Sequence, residues 1–420
     1  MYKVNRITWL PCALLALAAT AACAQDVPSA LPPTTLKQAF DAAWTHQPEA
    51  LAGDMRLEAG HARRLSAESW TAEPPSVELA AKTDQLGRNE GSREFEVGIA
   101  VPLWLPGERS AASALADAEI RASTSRSHAA KLRTSHAVRN AYWEWQRASI
   151  NAELAGARLE KFRDLASDVS RRVKAGELAR ADQHQADGAV AAAEASLAET
   201  ESALTSATLA VRVLTGNATL RLVPGNTSLE PEPSPASGSG LPDAQHPAVL
   251  ELLDRSEVAR RAVTLASTQH RANPEVTFAT TRDRGAFGDA WQQTVTVGVR
   301  IPFGSASRSR ADVAAASADA IEAEAQLALE RQRVLGDIEA ARSRVTSARA
   351  QIVAAERRSQ LARESRSFFQ KAFRAGEVDL PTRLRIELDA AEADRQLSVA
   401  RIEFAATISA LRQAMGLFPE

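Results

Sequence analysis

Cysteine is almost absent: the chain has 420 residues and only Cys12 and Cys23, both near its start. Disulfides and cysteine-ligated metals are thereby excluded from everything that follows. Aromatic residues make up 5% of the chain, too few for the aromatic-rich cores and pockets of compact domains. Neither sign of charge dominates, since 50 Lys+Arg stand against 52 Asp+Glu for a net charge of -2. No basic excess points to nucleic acid and no acidic tail points to a solvating segment. After the first stretch, no run approaches the roughly 20 apolar residues of a membrane-spanning helix, so any crossing must use strands. Catalytic signatures are missing too: there is no G-x-S-x-G, no Walker loop, no G-x-G-x-x-G and no later Cys nucleophile. Neither an enzyme nor a cofactor is expected.

Hydrophobic residues amount to 45%, and alanine and leucine carry most of that share. With abundant Glu, Arg and Gln, this composition reads as long helices with coiled-coil-like packing. The first residues supply Lys3 and Arg6, the apolar run Leu10 to Ala19, then Ala22-Cys23-Ala24 before Gln25. A basic segment, a short apolar segment and an A-x-A site predict a cleaved signal peptide over 1–24. Lipidation on Cys23 is the rival, opposed by Thr20 where a lipobox usually has leucine. Both readings export the protein.

The chain also repeats itself. Pro48 answers to Pro247 and Pro75 to Pro274 at a separation of 199; Pro102 to Pro302, Gly176 to Gly376 and Gly216 to Gly416 follow at 200. Local text agrees, Val97-Gly98-Ile99-Ala100-Val101-Pro102 against Val297-Gly298-Val299-Arg300-Ile301-Pro302. A fixed long period predicts duplicated units. We therefore divide the chain into a first repeat over 25–223, a Pro/Ser/Gly-rich linker over 224–242 and a second repeat over 243–420.

Each repeat parses alike. A first helix is expected over Leu36 to Trp70, interrupted at His46-Gln47-Pro48, and over Pro247 to His270 in the second copy. Two strands follow, in which Val77, Leu79 and Ala81 alternate with Glu78, Ala80 and Lys82, and Phe95, Val97 and Ile99 alternate with Glu94, Glu96 and Gly98. The second copy repeats this over Val276 to Thr281 and Thr294 to Ile301. Period two with one polar face predicts half-buried strands. Runs free of proline then extend from Glu108 to Lys174 and from Ser307 to Arg374, each about 100 Å as a continuous helix. Ala-Gly-Glu ends each run, and a returning helix reaches Leu214 or Leu411.

Four such strands cannot close a barrel within one chain, and an open sheet in lipid leaves its edges unpaired. Two copies would supply eight strands and three copies twelve; only the larger ring has room for a lumen that substrate could cross, and composition alone does not choose between them. The order of elements in two tandem copies resembles the TolC-like outer-membrane efflux channels, over about Leu36 to Leu417. Within that family, Val101-Pro102-Leu103-Trp104-Leu105-Pro106-Gly107-Glu108-Arg109, the Ala-Gly-Glu tips and the short C-terminus are similar to the heavy-metal cation efflux branch. The resemblance implies a mainly α fold with a transmembrane β-barrel contribution: a homotrimer with a twelve-stranded barrel in outer-membrane lipid and an α-helical tunnel through the periplasm. It also implies a periplasmic adaptor and an inner-membrane, proton-driven pump as partners, with heavy-metal cations as the cargo. Multidrug efflux or type I protein secretion keeps the channel and changes the pump. A soluble periplasmic coiled-coil adaptor is the rival of another class.

The resemblance places adaptor docking at Lys174, Ala175, Gly176, Glu177 and Leu178 and at Arg374, Ala375, Gly376, Glu377 and Val378; plain helix capping by the glycines is the alternative. Some relatives carry acidic rings six and nine residues after the second tip glycine, where this chain has Thr382 and Arg385. Asp182, Glu387 and Asp389 are the substitutes for such a constriction, against solvated surface charge. Glu78, Glu96 and Arg300 are expected to line the lumen. Trp70, Trp104, Trp291 and Phe303 fit either an interfacial belt or helix packing. The seven histidines, His46, His61, His128, His136, His184, His246 and His270, show no ligand spacing, and a duct needs sites that release.

Overall fold

The computed structural model describes residues 34–87, 89–216, 230–233, 243–303 and 306–420. The expected signal peptide, with Cys12 and Cys23, lies outside the described residues, as does most of the linker. The order of elements is α1 (Leu36–Thr45), α2 (Pro48–Leu51), α3 (Gly53–Ala67), β1 (Ser76–Thr83), β2 (Arg93–Pro102), α4 (Glu108–Ala175) and α5 (Arg180–Leu214). Then come α6 (Pro247–Thr268), β3 (Glu275–Arg284), β4 (Gln292–Arg300), α7 (Ala306–Arg374) and α8 (Leu380–Ala414).

Local chemistry explains the boundaries. Thr35 caps α1 by accepting from Gln38 N at 3.3 Å, while the Gln38 side chain accepts from Thr35 N at 3.0 Å. Pro48 opens α2 at a position where a missing N–H costs nothing. The expected first helix is thus split, and a second break at Ala52 makes three helices where two were anticipated.

The 68-residue α4 and 69-residue α7 run the length of the molecule, whereas the return helices α5 and α8 have 35 residues each. A return helix therefore covers about half of its long partner. Toward the Ala-Gly-Glu turns, α4 packs on α5 and α7 on α8; toward the sheet, α4 packs on α3 and α6, and α6 on α7. The expected long hairpin accounts only for the lower half of each long helix, and the first helices complete the upper half. The wall is four helices wide along its whole length. Small buried clusters hold its seams, among them Trp145, Ala148, Ala207 and Val211 between α4 and α5, and Val249, Val334 and Ile338 between α6 and α7.

A girdle surrounds the midpoint of α4. Leu36 and Phe40 of α1 pack on Val138, Tyr142 and Trp143 of α4 and on Ile402 of α8, and the Phe40 ring stacks on Phe418 at 6.1 Å. The expected linker contributes here as well. Its described residues, 230–233, lie across three helices. Glu230 pairs with Arg139 of α4 at 2.8 Å and Arg412 of α8 at 3.4 Å; Glu232 pairs with Arg349 of α7 at 2.7 Å. Pro, Ser and Gly content suggests a loose spacer, but a desolvated carboxylate between guanidiniums pins the chain at this point.

Candidate functional site

All four strands form one antiparallel sheet in the order β1-β2-β3-β4. The register sets Val77 opposite Ile99, Ile99 opposite Phe278 and Phe278 opposite Val297, so these residues share one face. That face is apolar and uncovered: Val77, Leu79, Phe95, Val97, Ile99, Phe278, Val295, Val297 and Val299 are all exposed. An apolar surface of this extent marks an interaction with a membrane or another protein. The other face carries Glu78, Lys82, Glu94, Glu96, Glu275, Asp283 and Arg300, with Glu78, Glu96 and Arg300 together as the alternation predicts. Lys82 pairs with Glu94 at 2.9 Å and Arg300 with Glu275 at 3.2 Å. Among the described residues Glu78, Glu96 and Asp283 have no ion pair within contact distance, and Glu96 acts on Lys82 through its charge alone. β1 and β4 each have a single neighbour, so both edges of the sheet are free.

Aromatic side chains flank the apolar band. At the helical end Trp70 is 94% and Phe303 95% exposed, so neither packs on a helix of its own chain. Trp104 is half-buried and donates its indole N–H to Ser69 O at 3.0 Å. At the loop end the Trp291 ring lies 5.9 Å from that of Phe95. The strand-to-helix junction contains a brace that the sequence reading missed. Glu108 is buried, and it accepts from Leu105 N at 2.9 Å, Asn273 Nδ2 at 2.9 Å and Gln269 Nε2 at 2.8 Å. It thereby fastens the start of α4 to the segment between α6 and β3. A carboxylate directly after the left-handed Gly107 was the available signal.

At the opposite end the two tips are alike. Gly176 (φ 82°) and Gly376 (φ 76°) take the left-handed conformation after α4 and α7. Glu177 N donates to Arg172 O at 2.9 Å and Glu377 N to Ala372 O at 3.0 Å, closing each helix in the same way. Lys174, Ala175, Gly176 and Glu177 are exposed with Leu178 half-buried; Arg374, Ala375, Gly376 and Glu377 are exposed with Val378 half-buried. An added Cβ at Gly176 or Gly376 would meet nothing within 4 Å, so intramolecular crowding does not require glycine there.

The acidic substitutes for a constriction fare differently. Asp182 accepts from Ala179 N at 3.0 Å and so caps α5, which gives it a local structural role. In the second copy Asp379 does the equivalent work, accepting from Thr382 N at 3.2 Å; this bonding holds its pKa below the ordinary carboxylate value. Arg385 and Asp389 are exposed. Glu387 lines an open cleft of about 640 Å³ with Lys161, Asp168, Arg172, Arg366 and Arg383. Two of these residues, Arg172 and Arg383, were not anticipated, and they build a latch with Phe373. Arg172 of α4 and Arg383 of α8 face the buried Phe373 ring of α7 at 5.1 and 4.8 Å, and Arg172 donates to Phe373 O at 3.4 Å. Burial draws the Arg383 pKa below its ordinary value.

Among the described residues no group of three His, Cys, Asp or Glu side chains is placed to hold a metal ion, and no helix is long and apolar enough to cross a membrane. What the arrangement offers is a wall: an apolar-faced sheet at one end, a helical stave about 100 Å long, and an exposed double tip at the other.

Residues 52–217 match the protein family described as outer membrane efflux protein. No individual curated protein matches the sequence. Several solved structures share the fold. CusC, whose structures concern folding and transmembrane channel formation, superposes with a TM-score of 0.76 at 16% identity over 92% of this chain and 93% of its own. The outer membrane protein VceC of Vibrio cholerae gives 0.71 at 20% identity, over 92% and 97% of the two chains. The CmeC outer membrane channel of Campylobacter jejuni gives 0.73 at 16% identity, over 91% and 86%. The chain has the fold of these channels.

Proposed function

We propose that the protein is the outer-membrane exit duct of a tripartite efflux system, a homotrimer that passes substrate from an inner-membrane pump and a periplasmic adaptor to the exterior. The observation that carries this reading is the four-stranded sheet. Its apolar face is uncovered and both its edges are free. In lipid each unpaired backbone group costs several kcal/mol, so β1 of one copy must meet β4 of another. Three copies supply twelve strands, with Glu78, Glu96 and Arg300 toward the lumen and the valine-rich face toward lipid. The four-helix wall then becomes a twelve-helix tunnel in the periplasm. The exposed tips, from Lys174 to Leu178 and from Arg374 to Val378, are the surfaces offered to the adaptor. The duct does no chemistry and uses no energy; a proton-driven pump supplies both selection and force.

Heavy-metal cations are the proposed cargo. The junction from Val101 to Arg109 supports this through its resemblance to the heavy-metal branch, and the carboxylate surplus on the polar face suits cations. Two measurements test the reading. Fractionation should recover a detergent-extractable outer-membrane trimer, and a soluble periplasmic monomer would overturn the duct. A deletion strain should gain sensitivity to zinc, cobalt, cadmium, copper or silver. Sensitivity confined to dyes and detergents would leave the duct and replace the metal cargo by multidrug efflux.

A further inference from the structure

The apolar face of the sheet ends, on the side of the β-hairpin loops, in three arginines. Arg93 lies directly opposite Arg284 in the register, and Arg282 lies opposite Phe95, two residues along the same face. Their side chains belong to the parity of Phe95, Val97 and Ile99, not to that of the carboxylates Glu94 and Asp283. Like charges placed directly across a strand pair are destabilising unless something neutralises them. No carboxylate pairs with any of the three among the described residues. Two of them are instead held by aromatic rings. Arg282 lies 5.3 Å from the Trp291 ring centroid; Arg284 lies 5.0 Å from that of Trp291 and 5.6 Å from that of Phe287. Arg284 also donates from Nε to Gly91 O at 3.1 Å, which fixes the guanidinium, and its other N–H groups make no hydrogen bond among the described residues.

An arginine on the lipid face is tolerated only near the membrane boundary, where tryptophan also gathers. Both residue types occur here in one cluster, with the arginines on the two inner strands and Trp291 and Phe287 in the β3–β4 connection, so one copy supplies every member. Planar guanidinium forks that stack on aromatics and lack acidic partners match the oxygens of a phosphate, which they bind through two parallel hydrogen bonds. We propose that Arg93, Arg282 and Arg284, backed by Trp291 and Phe287, form a binding site for a phosphate-bearing lipid headgroup of the outer leaflet, of the kind presented by lipid A. The headgroup phosphate neutralises the Arg93–Arg284 juxtaposition, and the acyl chains lie along Val97, Ile99 and Phe278. This assignment rests on the outer-membrane reading given above. It adds to that reading a lipid that holds the barrel at a defined depth.

The full chain, extracted as an assembled oligomer and placed in nanodiscs, tests it with three probes: phosphorylated lipid A, dephosphorylated lipid A and inorganic phosphate. Native mass spectrometry reads both lipid retention and oligomer mass. The wild type should retain phosphorylated lipid A about tenfold over the dephosphorylated form, and the double variant R93Q/R284Q should lose that preference. R93K/R284K should recover part of it, which a purely packing role would not produce. Equal retention by wild type and R93Q/R284Q in intact oligomers overturns the lipid site and leaves the duct standing. Displacement of lipid A by millimolar inorganic phosphate also overturns it, in favour of a free-anion site. Recovery of the wild-type chain outside the outer membrane would instead remove the duct, and the lipid site with it.

Discussion

Arg139 and Glu230 form an ion pair 91 positions apart in sequence, 2.8 Å apart in space, with their side chains 3% and 2% exposed. The carboxylate is shared: Arg412 approaches it at 3.4 Å, and Ser409 donates to it. Arg139 is further satisfied by Ser135 Oγ at 2.9 Å, Gln413 Oε1 at 2.7 Å and Leu417 O at 3.0 Å. One buried group thus joins α4, α8, the segment between the repeats and the C-terminal tail. Burial pulls the Arg139 pKa below its ordinary value and Glu230 opposes that pull, so the guanidinium stays charged.

Removing the carboxylate leaves the buried Arg139 without a counter-charge and Arg412 with only the exposed Glu420, at 2.8 Å. Glu230→Gln should therefore destabilise the protein by about 3–5 kcal/mol, the cost of breaking a buried pair from one side. Glu232→Gln, which breaks the exposed pair with Arg349, should cost less than about 1 kcal/mol. Denaturant unfolding of the two detergent-purified variants compares them directly, and equal losses would contradict the strap.

At the tips, Gly376→Leu and Gly376→Asp should abolish efflux while oligomers still form. A non-glycine residue at φ 76° costs about 1–2 kcal/mol, too little to unfold the chain. The space beyond Gly376 is open, so the new side chain would stand in the way of whatever docks there. Resistance assays and adaptor crosslinking read function, and electrophoretic trimer mass reads assembly. Loss of the trimer would return the tip glycines to a folding role.

The strands were legible because period two survives in a single sequence, and the register then keeps Glu78, Glu96 and Arg300 on one face. The tips were legible because Gly176 and Gly376 stand at matching places with matching neighbours. Long-range pairing was not legible. Helical periodicity marks Val173 and Phe373 equally as apolar; nothing in it tells that Phe373 alone is clasped by Arg172 and Arg383. Glu230 was hidden for another reason. A lone carboxylate among prolines and serines looks solvated until the two arginines that desolvate it are placed beside it. The division of α4 between α5 and α6 was missed because an alanine-rich helix presents similar faces along its length.

Phe373 links the two helical hairpins at the tip, and it is 2% exposed. Phe373→Ala should remove packing worth about 3–5 kcal/mol at that one contact, together with two cation–π contacts. In a wall built from separate small clusters the loss stays local, so the tips should separate while the girdle holds. We expect single-channel conductance in planar bilayers to rise several-fold, with Phe373→Leu intermediate because it keeps volume but no ring. An unchanged conductance would show that the clasp does not restrain the opening.

His246 supplies a dependence on pH. Its ring is buried at the start of α6, against Gly416 of the C-terminal turn, and its Nδ1 has no hydrogen-bond partner among the described residues. Burial lowers its pKa below the ordinary histidine value; Asp243 and Asp337 act in the opposite direction without overcoming it. In the unfolded chain the same imidazole takes up a proton near its ordinary pKa of about 6.5. As pH falls below that value the unfolded state therefore binds the proton that the folded state resists, and stability declines. The decline continues until the lowered folded-state pKa is passed and then levels off. His246→Asn keeps a polar residue ahead of α6 but cannot titrate, so its thermal stability should lose that slope between about pH 7 and the lower limit. Parallel melting curves for wild type and variant across this range would assign the acid sensitivity to other groups.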